Sequence, residues 1–379
     1  MAIVKIPAVV MRGGTNNGVF FNQRDLPSDP AARDRLLVRL AGHPDACPMM
    51  GAGADGAEPL KVVVVGKSVR LDADVDVMFG DIDATAERIV WSSRCGTLAG
   101  GVGPFAVQQG LVPVHDGSNV IQVWQQDPGR RLRSHVVVRD GDVIEEGMFL
   151  EDGSAFPAAD VRLDYLDEGL GGILPTGQPQ DTLDVPDLGT LQATLLNAGV
   201  PTAFVRATDL GLTGRELPDS LRRQAKALVV LDAVRIEAAA RMGASAGVRA
   251  AARLLADLRI VWIAAPSAYR TGQGLEVPRA NVDVLARVFA GGQTQRSLDG
   301  PAAIATAAAA ALPGSLVSQV ARTLPGVATR IGHASGVLTV DASVVRRSSG
   351  WIMERASMSR SARCLMSGWL HVPASARAA

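Results

Sequence analysis

One stretch decides the fold and the candidate site of this chain, SRCGTLAGGVGPFAV at residues 93–107. A cysteine, Cys95, opens a glycine-rich run that leads into a helix-like sequence from Pro104. A thiol at the start of a helix lies among unpaired N–H groups at the positive end of the helix dipole, which favours the thiolate. The same N–H groups can hold a carboxylate. The stretch therefore offers a proton-transfer group beside an anion site, and a buried cysteine in a tight turn is the alternative interpretation.

The composition is typical of a soluble globular protein. The 379 residues suffice for two domains with their own cores, and 47% of them are hydrophobic against 20% charged. A formal net charge of +0 gives no electrostatic reason to expect nucleic acid or a membrane surface as a partner. No signal peptide or membrane span is predicted. Three cysteines without paired spacing favour a reducing compartment, so we expect a cytoplasmic protein without disulfides.

No metal site and no cofactor site is predicted. The five histidines are scattered, no pair has the spacing of metal ligands on a helix, and no Cys-x-x-Cys pair occurs. The glycines at 100–103 are not followed by the lysine of a phosphate-binding loop. Nucleotide binding is therefore not expected either.

Short β-branched segments separated by Gly, Pro or Asp predict strands through most of the chain, including one at 142–149. Helices are predicted at Pro30–Leu40 with Asp29 as N-cap, and at 220–231 and 233–242. An alanine-rich helix follows Asp299, which is its predicted N-cap.

A Gly- and Pro-rich segment at 169–187 predicts a boundary between two domains. The N-terminal lobe then covers 1–185 and the C-terminal lobe 186–365, with a strand near 366–372 that could return to the first lobe. Each half combines many short strands with one apolar helix. The expected fold class is therefore α/β (α+β), with two similar lobes, each a strand-rich, barrel-like sheet around a central helix.

Motifs spread over nearly the whole chain resemble those of the PrpF family. They are MRGGTNNGVFF at 11–21, DADVD at 72–76, CGT at 95–97 with GPFA at 103–106, LPTG at 174–177, GHASG at 332–336 and RSARCLMSG at 360–368. Known members are 2-methylaconitate and aconitate isomerases, methylitaconate Δ-isomerase and 4-oxalomesaconate tautomerase. The resemblance implies a diaminopimelate-epimerase-like fold and a cofactor-independent isomerase that shifts a C=C bond in an unsaturated carboxylic acid.

The resemblance also implies two catalytic residues. In the methylaconitate isomerases a lysine and the motif cysteine are implicated in proton transfer, and these positions carry over to Lys61 and Cys95. Lys67, which follows Gly66 at the end of the same predicted strand, is the less favoured lysine. A 1,3-proton transfer needs one proton removed and one delivered, so a thiolate base and a lysine acid or charge stabiliser suit it. The sequence leaves open which residue has which role.

The resemblance, together with the N-terminus of the alanine-rich helix as a second carboxylate site, predicts substrate contacts in both halves of the chain. The expected substrate-binding residues are Asn16, Asn17, Gly96, Thr97, Asp299, Gly300, His333, Ser335 and Gly336. The expected partner is a small unsaturated mono-, di- or tricarboxylate, and a homodimer is left open as the assembly.

Three departures from the family pattern lie near the expected site. Asn16-Asn17 replaces Ser-Lys, Thr97 replaces Asn, and Glu58 stands where small polar residues are usual. These changes predict a substrate less anionic than a tricarboxylate. One alternative is a racemase of the same fold, which usually has a second cysteine where this chain has LDGP at 298–301. The other alternative is a non-catalytic accessory or binding protein that retains the cleft.

Overall fold

The computed structural model describes residues 3–14, 16–40, 60–83, 88–91, 98–127, 129–151, 154, 156–166, 172–243, 248–324 and 326–373. The chain divides into two compact units, unit 1 with Met1–Tyr165 and Ser359–Ala379, and unit 2 with Leu166–Met358. The sequence-based division at 185/186 lies further along the chain, at the end of a strand that pairs within unit 2.

Unit 1 is rich in strands. Its strands are β1 (Ile3–Gly13), β2 (Asn16–Asn22), β3 (Leu60–Lys67), β4 (Val75–Asp83), β5 (Arg88–Trp91), β6 (Gly117–Gln125), β7 (Arg130–Arg139), β8 (Asp142–Val143) and β9 (Asp160–Leu166). Its helices are α1 (Pro30–Leu40) and α2 (Val102–Gln108).

The centre of this sheet is covered on both faces, which explains the apolar run Val62–Val65 in β3. Alternate residues of β2 point to opposite faces. Phe21 belongs to one buried cluster with Leu37 of α1. Phe20 instead meets Phe105 of the buried helix α2, with ring centroids 5.5 Å apart. The two-residue period of the strand thus packs the two helices against opposite faces.

Unit 2 contains the strands β10 (Asp181–Val185), β11 (Gly189–Asn197), β12 (Pro201–Arg206), β13 (Arg259–Ala264), β14 (Tyr269–Arg270), β15 (Glu276–Val277), β16 (Val284–Ala290), β17 (Gln293–Thr294), β18 (Thr329–His333) and β19 (Gly336–Arg347). Its helices are α3 (Pro218–Arg222), α4 (Ala225–Met242), α5 (Val248–Asp257), α6 (Gly300–Ala311) and α7 (Leu316–Val320). The last strand, β20 (Gly350–Pro373), pairs with β19 through its first part and with β1 through its last part.

Local sequence signals placed several elements correctly. Helix α1 begins after Asp29, whose carboxylate accepts a hydrogen bond from the Ala32 N–H at 2.7 Å. Helix α6 begins after Asp299 in the same way, with the Ala302 N–H at 2.8 Å from the carboxylate. Both predicted N-caps are therefore confirmed.

Three other predictions were wrong, and two elements were not predicted. The two helices expected at 220–231 and 233–242 are instead the short helix α3 and the single helix α4. Asp232 does not interrupt α4, because it accepts a hydrogen bond from Arg235 one turn later. The strand expected at 142–149 covers only Asp142–Val143. Strand β10, which lies in the Gly- and Pro-rich segment at 169–187, and helix α5 were not predicted, since long-range pairing and packing decide such elements. Within the described residues, no helix has both the length and the apolar character needed to cross a membrane.

Candidate functional site

The cysteine motif itself falls outside the described residues. Cys95, Gly96 and Thr97 are not among them, and neither is Glu58. The description resumes at Leu98, which is fully buried at 0% exposure and forms a 3-10 turn with residues 99–101 before α2. Leu98 is therefore the first described residue after the cysteine motif.

Leu98 lies against the end of the β1–β2 hairpin, which we call the hairpin end and define as Gly13, Gly14, Asn16 and Asn17. A methyl group placed on Gly13 would come within 2.9 Å of the Leu98 Cα atom. A methyl group on Gly18, the residue of β2 that follows Asn17, would come within 2.6 Å of Leu98 Cδ1. Two positions without side chains thus let the hairpin approach the backbone that follows the cysteine motif.

Lys61 lies beside the same contact. Strands β2 and β3 run parallel with Val19 opposite Val62, and the Lys61 carbonyl oxygen is 3.2 Å from the position of a methyl group on Gly18. Strand β4 places Asp81 opposite Lys61, with Lys61 Nζ 4.0 Å from Asp81 Oδ1. The Lys61 side chain is only 13% exposed, whereas Lys67 is exposed at the other end of β3. The sequence did not predict the partner Asp81.

The two asparagines Asn16 and Asn17 lie on the hairpin end. Asn17 is exposed and lies opposite Arg12, and Asn16 lies opposite Gly13. Gly14 adopts a left-handed φ of 61°, and its carbonyl accepts a hydrogen bond from Arg12 Nε at 2.9 Å. Within unit 1 the structure therefore brings Asn16 and Asn17 to the hairpin that contacts Leu98.

Asp299 and Gly300 lie in unit 2 at the start of α6. One Asp299 oxygen caps the helix, and the other accepts hydrogen bonds from Arg259 Nε at 2.9 Å and Nη2 at 2.6 Å. The Arg259 side chain is 4% exposed, so this is a largely buried ion pair. The Asp299 carboxylate is thus engaged within unit 2, and its contact with a substrate, like that of Gly300, stays a prediction.

His333, Ser335 and Gly336 form a tightly bonded turn between β18 and β19, also in unit 2. His333 Nδ1 accepts a hydrogen bond from the Ser335 N–H at 3.2 Å, and Ser335 Oγ donates to the Arg296 carbonyl at 2.6 Å. The Gly336 carbonyl accepts a hydrogen bond from the Tyr269 hydroxyl. The backbone of this turn is therefore fixed by surrounding residues, and its role in binding a substrate stays a prediction.

Arg287 is buried and contacts the strand that leads into this turn. The sequence did not predict this contact. It is 3% exposed, and its Nη1 donates a hydrogen bond to the Gly332 carbonyl at 3.1 Å. Burial lowers the pKa of Arg287 to about 10, so it is a cation at neutral pH. A charged residue inside the apolar strand VLARVFA was a visible signal that this position has a specific partner. Among the described residues, no group of three His, Cys, Asp or Glu side chains could hold a metal ion.

We expect Gly13→Ala to lower the free energy of unfolding by about 1–3 kcal/mol, because the new methyl group would collide with the Leu98 backbone. Gly368→Ala is the matched control, since a methyl group there meets nothing within 4 Å, and we expect a change within about 0.5 kcal/mol. Urea denaturation of both variants measures the difference. Equal stability of the two variants would contradict the close approach of Gly13 to Leu98.

Cys364 is the free cysteine of the described residues, and it is poorly suited to act as a thiolate. Burial raises its pKa, and the nearby Glu145 carboxylate raises it further. We therefore expect iodoacetamide at pH 8 to alkylate Cys364 more slowly in the folded protein than in urea. Glu145→Gln should speed the folded-state reaction several-fold, because it removes the charge that disfavours the thiolate. Peptide mass spectrometry measures both rates, and an unchanged rate in Glu145→Gln would refute the assigned cause.

This chain is similar to known proteins in both its sequence and its fold. The sequence profile of the family described as PrpF protein matches residues 3–373. The 2-methyl-aconitate isomerase of Cupriavidus necator is 41% identical over 389 aligned residues, covering 98% of each chain. A crystal structure of methylitaconate-delta-isomerase superposes with a TM-score of 0.84 at 29% identity, covering 100% of both chains.

More distant structures share the fold alone. A hydroxyproline epimerase from Agrobacterium vitis superposes with a TM-score of 0.57 at 14% identity, covering 97% of this chain and 92% of that chain. Together with the closer likeness, this confirms the predicted mixed α/β, epimerase-like fold.

Proposed function

The chain belongs to the PrpF family, and on that premise we propose that it isomerises an unsaturated carboxylic acid by moving a C=C bond through a 1,3-proton transfer. Cys95 and Lys61 carry the proton transfer in this proposal. The reaction changes no oxidation state, so proton donors and acceptors suffice and no cofactor is required.

The observation that supports the pair most directly is the contact of Leu98 with Gly18, beside the Lys61 backbone. Cys95 precedes Leu98 by three residues, which span about 10 Å at most when extended. The chain length between Cys95 and Leu98 therefore allows Cys95 and Lys61 to reach the same substrate, which the proposed proton relay requires.

We assign the base role to Cys95 and the acid role to Lys61. The Cys95 thiolate takes a proton from the allylic carbon, and that C–H electron pair becomes the new C=C bond. The former C=C pair moves toward the neighbouring carboxylate and then takes a proton at the other allylic carbon. The Lys61 ammonium group, beside Asp81 at 4.0 Å, supplies that proton or stabilises the intermediate charge. One proton leaves the substrate and one returns.

The substrate in this proposal is a small unsaturated mono-, di- or tricarboxylate. The relatives are named for 2-methylaconitate and methylitaconate, so these two acids are the first compounds to test. Asn17 brings no positive charge where the family motif has lysine, and Glu58 adds a negative charge nearby in the sequence. Both changes disfavour the more highly charged substrates.

NMR spectroscopy in D₂O tests the proposed reaction directly. The purified protein is incubated with a panel of unsaturated di- and tricarboxylates, and we expect one of them to show a moved C=C bond with solvent deuterium at an allylic carbon. Deuterium at a saturated carbon next to a carboxylate, with no bond shift, would identify a racemase instead. Binding without any exchange across the panel would identify a non-catalytic binding protein, and either result refutes the proposal.

We expect Asn17→Lys to improve the KM for a tricarboxylate by about tenfold, because it restores a cation on the hairpin end. The unmodified protein should turn over trans-aconitate less efficiently than its best dicarboxylate. Steady-state kinetics with both acids measure the effect, and the double variant with Lys67→Asn controls for net charge, since it restores the original net charge and Lys67 is exposed at the far end of β3. Trans-aconitate turnover equal to that of the best dicarboxylate would refute the charge argument.

A further inference from the structure

Unit 1 contains a buried carboxylate, Glu151, that lies outside the motifs identified in the sequence. Glu151 is 4% exposed, and its Oε1 accepts a hydrogen bond from Arg360 Nη1 at 2.6 Å. Its Oε2 accepts two more, from the Ser361 N–H at 2.9 Å and the Ser361 hydroxyl at 2.8 Å. Arg360 and Ser361 are each 3% exposed, so all three residues are withdrawn from solvent.

Glu151 compensates the buried charge of Arg360. Among the described residues, Glu151 accepts a hydrogen bond from Nη1 of Arg360, whereas the Nε and Nη2 atoms of Arg360 have no hydrogen-bond partner. Removing one partner of a buried ion pair leaves the other charge uncompensated and is strongly unfavourable. The pair therefore fixes the position of residues 360–361 in β20.

Residues 360–361 in turn contact both parts of the candidate site in unit 1. The Ser361 carbonyl accepts a hydrogen bond from the Gly14 N–H at 2.7 Å. This bond lies one step beyond the β1–β20 ladder, which ends with Gly13 opposite Ala362. A methyl group on Gly100 would lie 3.1 Å from Arg360 Cβ and 3.4 Å from the Ser361 carbonyl oxygen. One dipeptide thus supports the hairpin end and the turn that follows the cysteine motif.

We propose that Glu151 is a positioning residue that holds the hairpin end in place through Ser361 and Gly14, and thereby sets how Asn16 and Asn17 meet the substrate. Glu151 does not touch the substrate. Its hydrogen bonds, one from Arg360 and two from Ser361, fix this dipeptide, and the Ser361 carbonyl fixes the left-handed turn at Gly14. The proposal rests on the proposed function for its kinetic consequence, whereas its structural consequence can be measured without any substrate.

Hydrogen–deuterium exchange measured by mass spectrometry tests the structural consequence. In Glu151→Gln we expect the peptide covering residues 11–18 to exchange about tenfold faster, because the Gly14 N–H loses a fixed acceptor. A peptide covering β3 is the internal reference, since overall destabilisation would accelerate both peptides. Asp164→Asn is the matched control. Asp164 is another buried carboxylate of unit 1, 5% exposed, which accepts hydrogen bonds from Arg162 and His135.

Kinetics test the functional consequence with the substrate found by NMR. At a temperature where both variants are folded, Glu151→Gln should lower kcat/KM by about tenfold, mainly through KM, while Asp164→Asn leaves it unchanged. Glu151→Asp should recover part of the loss, because it retains the charge. Equal exchange at 11–18 in Glu151→Gln and Asp164→Asn, or equal kcat/KM, would overturn the proposal.

Ser361→Ala keeps the proposal falsifiable if Glu151→Gln does not fold. It removes only the hydroxyl hydrogen bond to Glu151 and leaves every charge in place. We expect the peptide covering 11–18 to exchange a few-fold faster than in the unmodified protein, and an unchanged rate would overturn the proposal. If no substrate of the panel is turned over, the proposed function fails, and the exchange experiment still decides the role of Glu151.

Discussion

Cys95→Ser should lower turnover by about 10²-fold or more, the effect of losing a positioned acid–base group. A serine hydroxyl retains the size and polarity of the thiol but is far less acidic, so it cannot supply an anionic base at neutral pH. The fold should survive, because the replacement changes one atom. Steady-state kinetics with the substrate found by NMR measure the loss, and circular dichroism checks the fold.

Cys364→Ser is the matched control for this variant. Cys364 is partly buried, and both burial and Glu145 raise its pKa, which keeps it a neutral thiol at pH 7. We expect its replacement to change turnover by about twofold at most. Near-normal turnover in correctly folded Cys95→Ser, or equal losses in the two variants, would exclude Cys95 as the proton-transfer group.

Lys61→Met should cause a loss of similar size, about 10²-fold or more, because methionine has a comparable length but carries no charge and no proton. The loss should appear mainly in kcat, since the ammonium group acts on charge that develops during the reaction. Lys67→Met is the matched control at the other, exposed end of β3. Equal losses in the two variants would remove the assignment to Lys61.

Asp81→Asn tests whether the carboxylate beside Lys61 supports it. We expect a smaller loss, because an ion pair at 4.0 Å in a partly exposed setting contributes about 1 kcal/mol, equivalent to roughly a fivefold loss. In the double variant with Lys61→Met, the Asp81 effect should disappear, since its partner is already gone. Additive losses would show that Asp81 acts independently of Lys61.

Local patterns were sufficient where neighbours in the sequence decide the structure. The N-caps Asp29 and Asp299 act on backbone N–H groups three residues later, so the sequence displays both partners together. The continuous helix α4 was misread because Asp232 normally favours turns, and its bond to Arg235 on the next turn offsets that tendency. Strand β10 was missed because its pairing with β11, rather than its own composition, makes it a strand.

The amino-acid sequence was enough to predict the family, the epimerase-like α/β fold and the helix caps, and to propose Cys95 and Lys61 as candidates. Only the tertiary structure decided that Asp81 faces Lys61, that Gly13 and Gly18 lie against Leu98, and that Glu151 fixes Ser361. Motifs and caps are short-range, so their residue types and spacing reveal them. Partners 20 to 210 positions apart meet only through strand register and the path of the chain, and a register slip of one residue between β3 and β4 would turn Asp81 to the other face of the sheet.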